Sequence, residues 1–102
     1  MFNQDRIAHL LEMYAESYSN LDPSEIDEEY TNTLREALFL LAREICTGGL
    51  AEDCEEIFYK YVTEGFVEIP LYPGAEDEDV MFANTPEEIV SQLFVWNEIH
   101  SK

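Results

Sequence analysis

Along residues 3–20, "NQDRIAHLLEMYAESYSN", apolar side chains return at Ile7, Leu10, Leu11, Tyr14 and Tyr18. The spacing i, i+3, i+4, i+7 and i+11 places them on one stripe of a helix of about four turns, with Asp5, Glu12 and Glu16 mainly outside it. The next stretch, "LDPSEIDEEYTNTLREALFLLAREICTGG", opens with helix-start chemistry: Asp22 as N-cap, Pro23 at the first helical position and Glu25 at the third. A short acidic helix or turn is predicted over 23–29. Tyr30-Thr31-Asn32-Thr33 is weak for helix, and Thr31 or Thr33 is placed to cap a fresh start. Leu34, Ala37, Leu38, Leu41, Ala42 and Ile45 then mark a main helix over about 33–47, stopped by Gly48-Gly49. Phe39 and Leu40 widen its stripe almost all round, which predicts that this helix is the central, most buried one.

In "LAEDCEEIFYKYVTEG" the apolar face is Cys54, Ile57, Phe58 and Tyr61, and Gly65 is suited to end the helix. Glu52, Asp53, Glu55 and Glu56 load its first turns, where the helix dipole favours anions. "FVEIPLYPG" is β-branched and aromatic, but Pro70 and Pro73 limit it to an extended segment or edge strand. After the acidic run "EDED", Thr85-Pro86-Glu87-Glu88 forms the clearest helix start of the chain, a capping box with proline at its first position. Ile89, Val90, Leu93, Phe94 and Trp96 follow. The fold expected is all-α for the most part: one domain over residues 1–102, with four to five helices and one short extended segment near 66–73.

Composition sharpens this picture. A content of 46% hydrophobic and 13% aromatic residues is enough for a packed core in 102 residues. Against that core stand 23 Asp and Glu and only five Lys and Arg, a formal net charge of −18. Solubility of a small domain needs a net charge of only about 2–8, and a larger excess opposes compaction. The sign excludes nucleic acid or an anionic membrane as a direct ligand, because phosphate contacts require Lys and Arg. No apolar stretch has membrane-spanning length or signal-peptide character, so a cytoplasmic protein is expected. Cys46 and Cys54, without a CxxC or a nearby His, read as reduced packing cysteines in no zinc site.

Catalytic patterns are absent. His9 and His100 lie near opposite ends in no ligand spacing, and there is no nucleophile elbow, phosphate loop or dinucleotide glycine pattern. The consecutive acids of "EDED" lack the alternation and central glycine of a calcium loop. Catalytic residues, metal sites and cofactors are therefore assigned to none.

The carboxylates instead form clusters: Asp22, Glu25, Asp27, Glu28 and Glu29; Glu52, Asp53, Glu55 and Glu56; Glu76, Asp77, Glu78 and Asp79; and Glu87 with Glu88. Few i,i+4 basic partners accompany them. Carboxylates three or four apart on a helix have Cβ atoms about 5–6 Å apart, comparable to successive phosphates on one nucleic-acid strand. Rigid helices edged this way present to a basic groove what a phosphate backbone presents, with electrostatic steering of the encounter. Tyr14, Tyr18, Tyr30, Tyr59, Tyr61 and Tyr72 can add aromatic anchors, with Tyr14 and Tyr61 better suited to the core. The competing reading is that these acids form a solvated face and nothing more.

Two resemblances bear on this choice. "LLEMYAE", "LREALFLLA", "EEIFYKYVTEGFVEI" and "NTPEEIVSQLFVWNE" are similar, in order, to stretches of the Ocr antirestriction proteins of phages, acidic helical mimics of duplex DNA. The chain departs from that family in ending "NEIHSK", without a long acidic tail, and in a longer segment around 70–84. "LYP", an acidic loop and "TPEEIVSQLFVW" resemble the C-terminal part of nuclease-colicin immunity proteins, though the Gly-Lys-rich tail of that family is missing. That second resemblance implies a toxin contact through Tyr72 and the acids of the second helical region. The likeness to the first family implies a restriction enzyme or CRISPR effector as partner and is compatible with a homodimer. The second implies a nuclease toxin. In all three cases the partner is a basic nucleic-acid-binding protein. The alternative of a different class is a helical adaptor binding through an apolar patch, with charge serving solubility only.

Overall fold

The computed structural model describes residues 3–46, 48–72, 75–76 and 78–101, without the side chains of the three residues 3, 100 and 101. Asp77 and the His100 side chain thus lie outside the described residues. The order of elements is α1 (Asn3–Ser19), a 3₁₀ turn (Pro23–Glu25), α2 (Glu28–Ala42), α3 (Leu50–Glu64), β1 (Val67–Pro70), β2 (Val80–Ala83) and α4 (Pro86–Ser101). The mostly helical expectation holds, and the chain also builds a small sheet.

Asp27, not Thr31 or Thr33, begins the second helix: its side chain accepts a hydrogen bond from the Tyr30 backbone N–H at 2.8 Å. The main helix therefore starts five residues earlier than about 33, and the capped first turn overrides the weak propensity of Tyr30–Thr33. It also ends earlier, at Ala42, and the chain turns through Arg43–Ile45. The acidic stretch before it shortens to the 3₁₀ turn, where the Glu25 carboxylate accepts from the Asp22 backbone N–H at 3.1 Å. Gly65 ends α3 in the left-handed region, φ 87°, where its N–H reaches Tyr61 O. In α4, Thr85 Oγ1 accepts from the Glu88 backbone N–H at 3.3 Å, and the Thr85 hydroxyl donates to the Glu88 carboxylate at 2.9 Å.

The central helix is α3, not α2. Packed against α1, α2, β1 and α4, α3 buries Leu50, Ala51, Cys54, Ile57, Phe58, Tyr61 and Val62. Although α2 contributes Leu34, Leu38, Leu41 and Ala42, its Leu40 is exposed. The apolar width of α2 outran the surface available to cover it, since α3 is its principal neighbour. From α1 come Ile7, Ala8 and Leu11, and from α4 Ile89, Val90, Leu93 and Trp96. No polar or charged residue is buried among the described residues.

Cys46 and Cys54 are both buried, as packing cysteines are, but they are joined in a disulfide rather than reduced. Cys46 follows the turn after α2 and Cys54 sits in the first turns of α3, so the two apolar faces meeting there bring the sulfurs together. The closed loop is short, and in the chain-entropy account it stabilises by about 2–3 kcal/mol.

β1 and β2 pair antiparallel, Val67 with Ala83, Glu68 with Phe82, Ile69 with Met81 and Pro70 with Val80. The pairing of 80–83 is not visible in the hydrophobic pattern, because the strand is four residues long and directly follows the acidic run. Val67, Ile69 and Ala83 face the core. Pro70 occupies an edge strand, the place in a sheet that tolerates it. A two-stranded sheet is marginal alone, and α4 holds this one: Trp96 Nε1 donates to Pro70 O at 2.6 Å and Gln92 Nε2 to Leu71 O at 2.9 Å. Replacing Trp96 by Phe keeps most of the buried ring and removes the first bond. The expected loss is about 1–2 kcal/mol in urea unfolding, with the hairpin amides losing hydrogen-exchange protection before the helices do.

Candidate functional site

The described candidate acids reach solvent: Asp22, Glu25, Asp27, Glu28, Glu29, Glu52, Asp53, Glu56, Glu76, Glu78, Glu87 and Glu88 are exposed, while Glu55 and Asp79 are half-buried. Several also have local duties. Glu25, Asp27 and Glu88 serve helix starts, as above, and Asp79 accepts from the Tyr72 hydroxyl at 3.3 Å. Glu55 receives Arg35 through two contacts, at 3.1 and 3.3 Å. The Arg35 guanidinium lies 4.7 Å over the Tyr59 ring, so one cation is held by a carboxylate and an aromatic face together. Arg6 pairs with Glu44. Against 23 acidic residues, these two ion pairs are the ones found among the described residues.

Packing sorts the acids into two groups along α3. At its N-terminal half, Asp53 and Glu56 line a cleft of about 390 Å³ together with Glu68, Pro70, Ala75 and Trp96. The acidic connection between the strands begins beside this cleft. Its described residues make three backbone hydrogen bonds: Leu71 N–H donates to Asp79 O at 2.7 Å, Ala75 N–H to Tyr72 O at 3.0 Å and Asp79 N–H to Glu76 O at 2.9 Å. Lys60 lies on the same cleft and leaves it net acidic.

The second group gathers at the other end of α3. There Leu21 and Ile26, from the segment carrying Asp22 and Glu25, line a groove with Tyr61, Val62 and Gly65. The Tyr61 phenol is pushed above its ordinary value, first by burial and then by the charges of Glu12, Glu87 and Glu16. Glu12 and Glu16 are thus drawn from α1 to the side of Glu87 on α4. Sequence reasoning omitted them because their neighbours within α1 are not acidic enough to form a cluster; only packing makes the group. Asp22–Glu29 and Glu52–Glu56 do not merge: α2 and α3 are joined by a short connection and lie antiparallel, with the clusters at opposite ends. Tyr72, exposed, belongs to the first group, while the acids of 22–29 belong to the second.

Of the other tyrosines, Tyr61 is buried and Tyr14, Tyr18, Tyr30 and Tyr59 are half-buried against the core. Tyr18 and Tyr30, with ring centroids 6.4 Å apart, tie the end of α1 to the start of α2. Burial, and then repulsion from an ionised Tyr18, push Tyr30 above its ordinary value. Among the described residues no group of His, Cys, Asp and Glu is placed to hold a metal ion, and no helix is long and apolar enough to cross a membrane. Compared with known proteins, the chain matches no family model, no curated relative and no solved structure.

Two expectations follow. The native state holds the Tyr61 proton more tightly than the unfolded chain does. Its contribution to stability is intact below about pH 10, the ordinary tyrosine value, and is lost as pH rises through the elevated folded value. Tyr61→Phe should remove part of that alkaline loss in unfolding measured across pH, and one of the phenolates that ionise above the ordinary range should disappear from an absorbance titration with it. Separately, the unpaired carboxylates repel one another through solvent, so monovalent salt should raise the melting temperature. A melting temperature indifferent to salt would mean that the repulsion is already relieved.

Proposed function

We propose that this protein is a non-catalytic acidic inhibitor that occupies the basic nucleic-acid-binding surface of another protein. The observation that carries this reading is the exposed and largely uncompensated carboxylate surface, carried by helices and turns with fixed backbone hydrogen bonds. A rigid array loses little entropy on docking compared with a flexible acidic tail. It would compete for Arg and Lys side chains that normally contact phosphates. The partner class we favour is a phage counter-defence target, a restriction enzyme or a CRISPR effector. The likeness in sequence to the Ocr proteins points the same way.

A nuclease toxin is the second partner class. The contact implied by the immunity-protein likeness joins Tyr72 to the acids of 22–29, which belong to separate groups on this fold, so a toxin would have to span both ends of α3. The adaptor reading draws on a specific observation too: Val95 and Ile99, one helical turn apart on α4, are exposed.

The proposal is tested by retaining proteins from a bacterial lysate on the immobilised protein at low salt. Nucleic-acid enzymes should bind and should be released by added duplex DNA or by a salt gradient. Lysine at Glu52, Asp53 and Glu56, or at Glu76 and Glu78, should weaken that partner by at least about tenfold for a set of reversals. These positions leave Glu55 on Arg35 and Asp79 on Tyr72; because lysine in the first turns of α3 opposes the helix dipole, a circular-dichroism melt of each set checks that the fold is kept. Partners that survive both high salt and DNA would establish the adaptor in place of the mimic.

A further inference from the structure

The outer face of the two-stranded sheet, with the residue that precedes β1, carries two large aromatic side chains that are about half exposed. Phe66 and Phe82 are 45% and 58% exposed, and their rings stack with centroids 5.6 Å apart. Exposed phenylalanines at this spacing contribute nothing to the core. Glu68 lies directly across from Phe82 in the register and is also exposed. Leu71 N–H bonds to Asp79 O, so hydrogen-bonded pairs alternate back through 69/81 and 67/83. Glu68 and Phe82 therefore form a non-hydrogen-bonded pair, whose side chains come closest, with Cβ atoms about 4.5–5.5 Å apart. On its other side Glu68 adjoins the cleft lined by Asp53 and Glu56.

We infer that this face is an arginine platform: a guanidinium of the basic partner lies on the Phe82 ring and pairs with the Glu68 carboxylate. The inference rests on the basic partner proposed above and names what anchors it. The charge of the surroundings selects a cation, and the aromatic surface selects the kind of cation. Arginine is planar, weakly hydrated and stacks on rings, whereas the lysine ammonium is compact and strongly hydrated. The chain already makes the same arrangement once within itself. Arg35 is held by Glu55 and by the ring of Tyr59, at 3.1 Å and 4.7 Å. Among the described residues Glu68 and Phe82 present the carboxylate and the ring with no cation paired to them, Lys60 lying on the adjoining cleft without an ion pair to Glu68. Asp53 and Glu56 give a second basic side chain of the same segment a place to land.

The platform is separable from the general acidity of the protein by comparing an oligo-arginine peptide with an oligo-lysine peptide of equal length, both titrated by calorimetry at low salt. The arginine peptide should bind about threefold to fivefold more tightly, the factor corresponding to one exposed cation–π contact. Phe82→Leu keeps an apolar side chain on the strand but removes the ring, so it should abolish the difference while leaving lysine-peptide binding unchanged. Glu68→Gln should weaken the arginine peptide more than the lysine peptide. A circular-dichroism melt of each variant within a few degrees of the parent establishes that the fold is intact. If both peptides bind equally and both respond to salt, the platform is refuted and the acidic reading stands. If neither binds at low salt, both fall. Sedimentation of the protein alone completes the test, because a dimer abolished by Phe82→Leu would make a second copy the occupant and overturn the proposal.

Discussion

Burial of the apolar face of α3 is the interaction on which the rest of the structure depends. Phe58 is wholly inaccessible, and α1, α2, β1 and α4 all pack against the helix that carries it. The apolar interior must hold together a chain whose formal charge is −18. It does so by keeping every described charged side chain out of the core, where an unpaired carboxylate would cost far more than at the surface. Repulsion is then borne in high dielectric and shared over the whole exterior. The described acids are therefore presented outward, and those on α1–α4 are carried by helical backbone.

The hairpin is the second dependency. Two four-residue strands do not persist unaided, and α4 fixes them through Trp96 on Pro70 O and Gln92 on Leu71 O. That attachment does two things for the surface. It sets the turns that display Glu76, Glu78 and Asp79, and it forms the cleft in which Glu68 joins Asp53 and Glu56. The sheet face left outward carries the ring pair together with Glu68, so this region combines aromatic surface with a carboxylate. Interfaces that depend on charge alone are steered well but anchored poorly. In the proposed complex the aromatic pair at the edge of the acidic surface would supply the anchor.

Much of the helical architecture was legible in the chain. The stripe of Ile7, Leu11 and their neighbours, the Thr85–Glu88 helix start and the Gly65 stop are local signals, and local physics decided them. What was not legible depends on contacts between distant residues. The register of β2 is set by β1, Trp96 and Gln92, none of which a four-residue window contains. The central role passed to α3 because three helices and a strand converge on it, although the apolar content of α2 looks greater in isolation. The early start of α2 is set by the Asp27 side chain, which in the sequence is one acid among many and in the fold caps the helix. The disulfide depends on two helices meeting at their ends. Of the acidic surface, the clusters contiguous in sequence could be read directly, whereas the gathering of Glu12 and Glu16 with Glu87 exists only after α1 and α4 have packed.

The central claim is that this surface recognises a protein that would otherwise hold nucleic acid. Its most direct test is amide chemical-shift mapping of the labelled protein with a partner recovered by elution with duplex DNA. The account predicts shifts concentrated at Glu52–Glu56, at Tyr72 to Val80 and on the outer face of the sheet, all reversed when DNA is added back. Shifts centred on Val95 and Ile99 and untouched by DNA would contradict it, and would make the charge a matter of solubility alone.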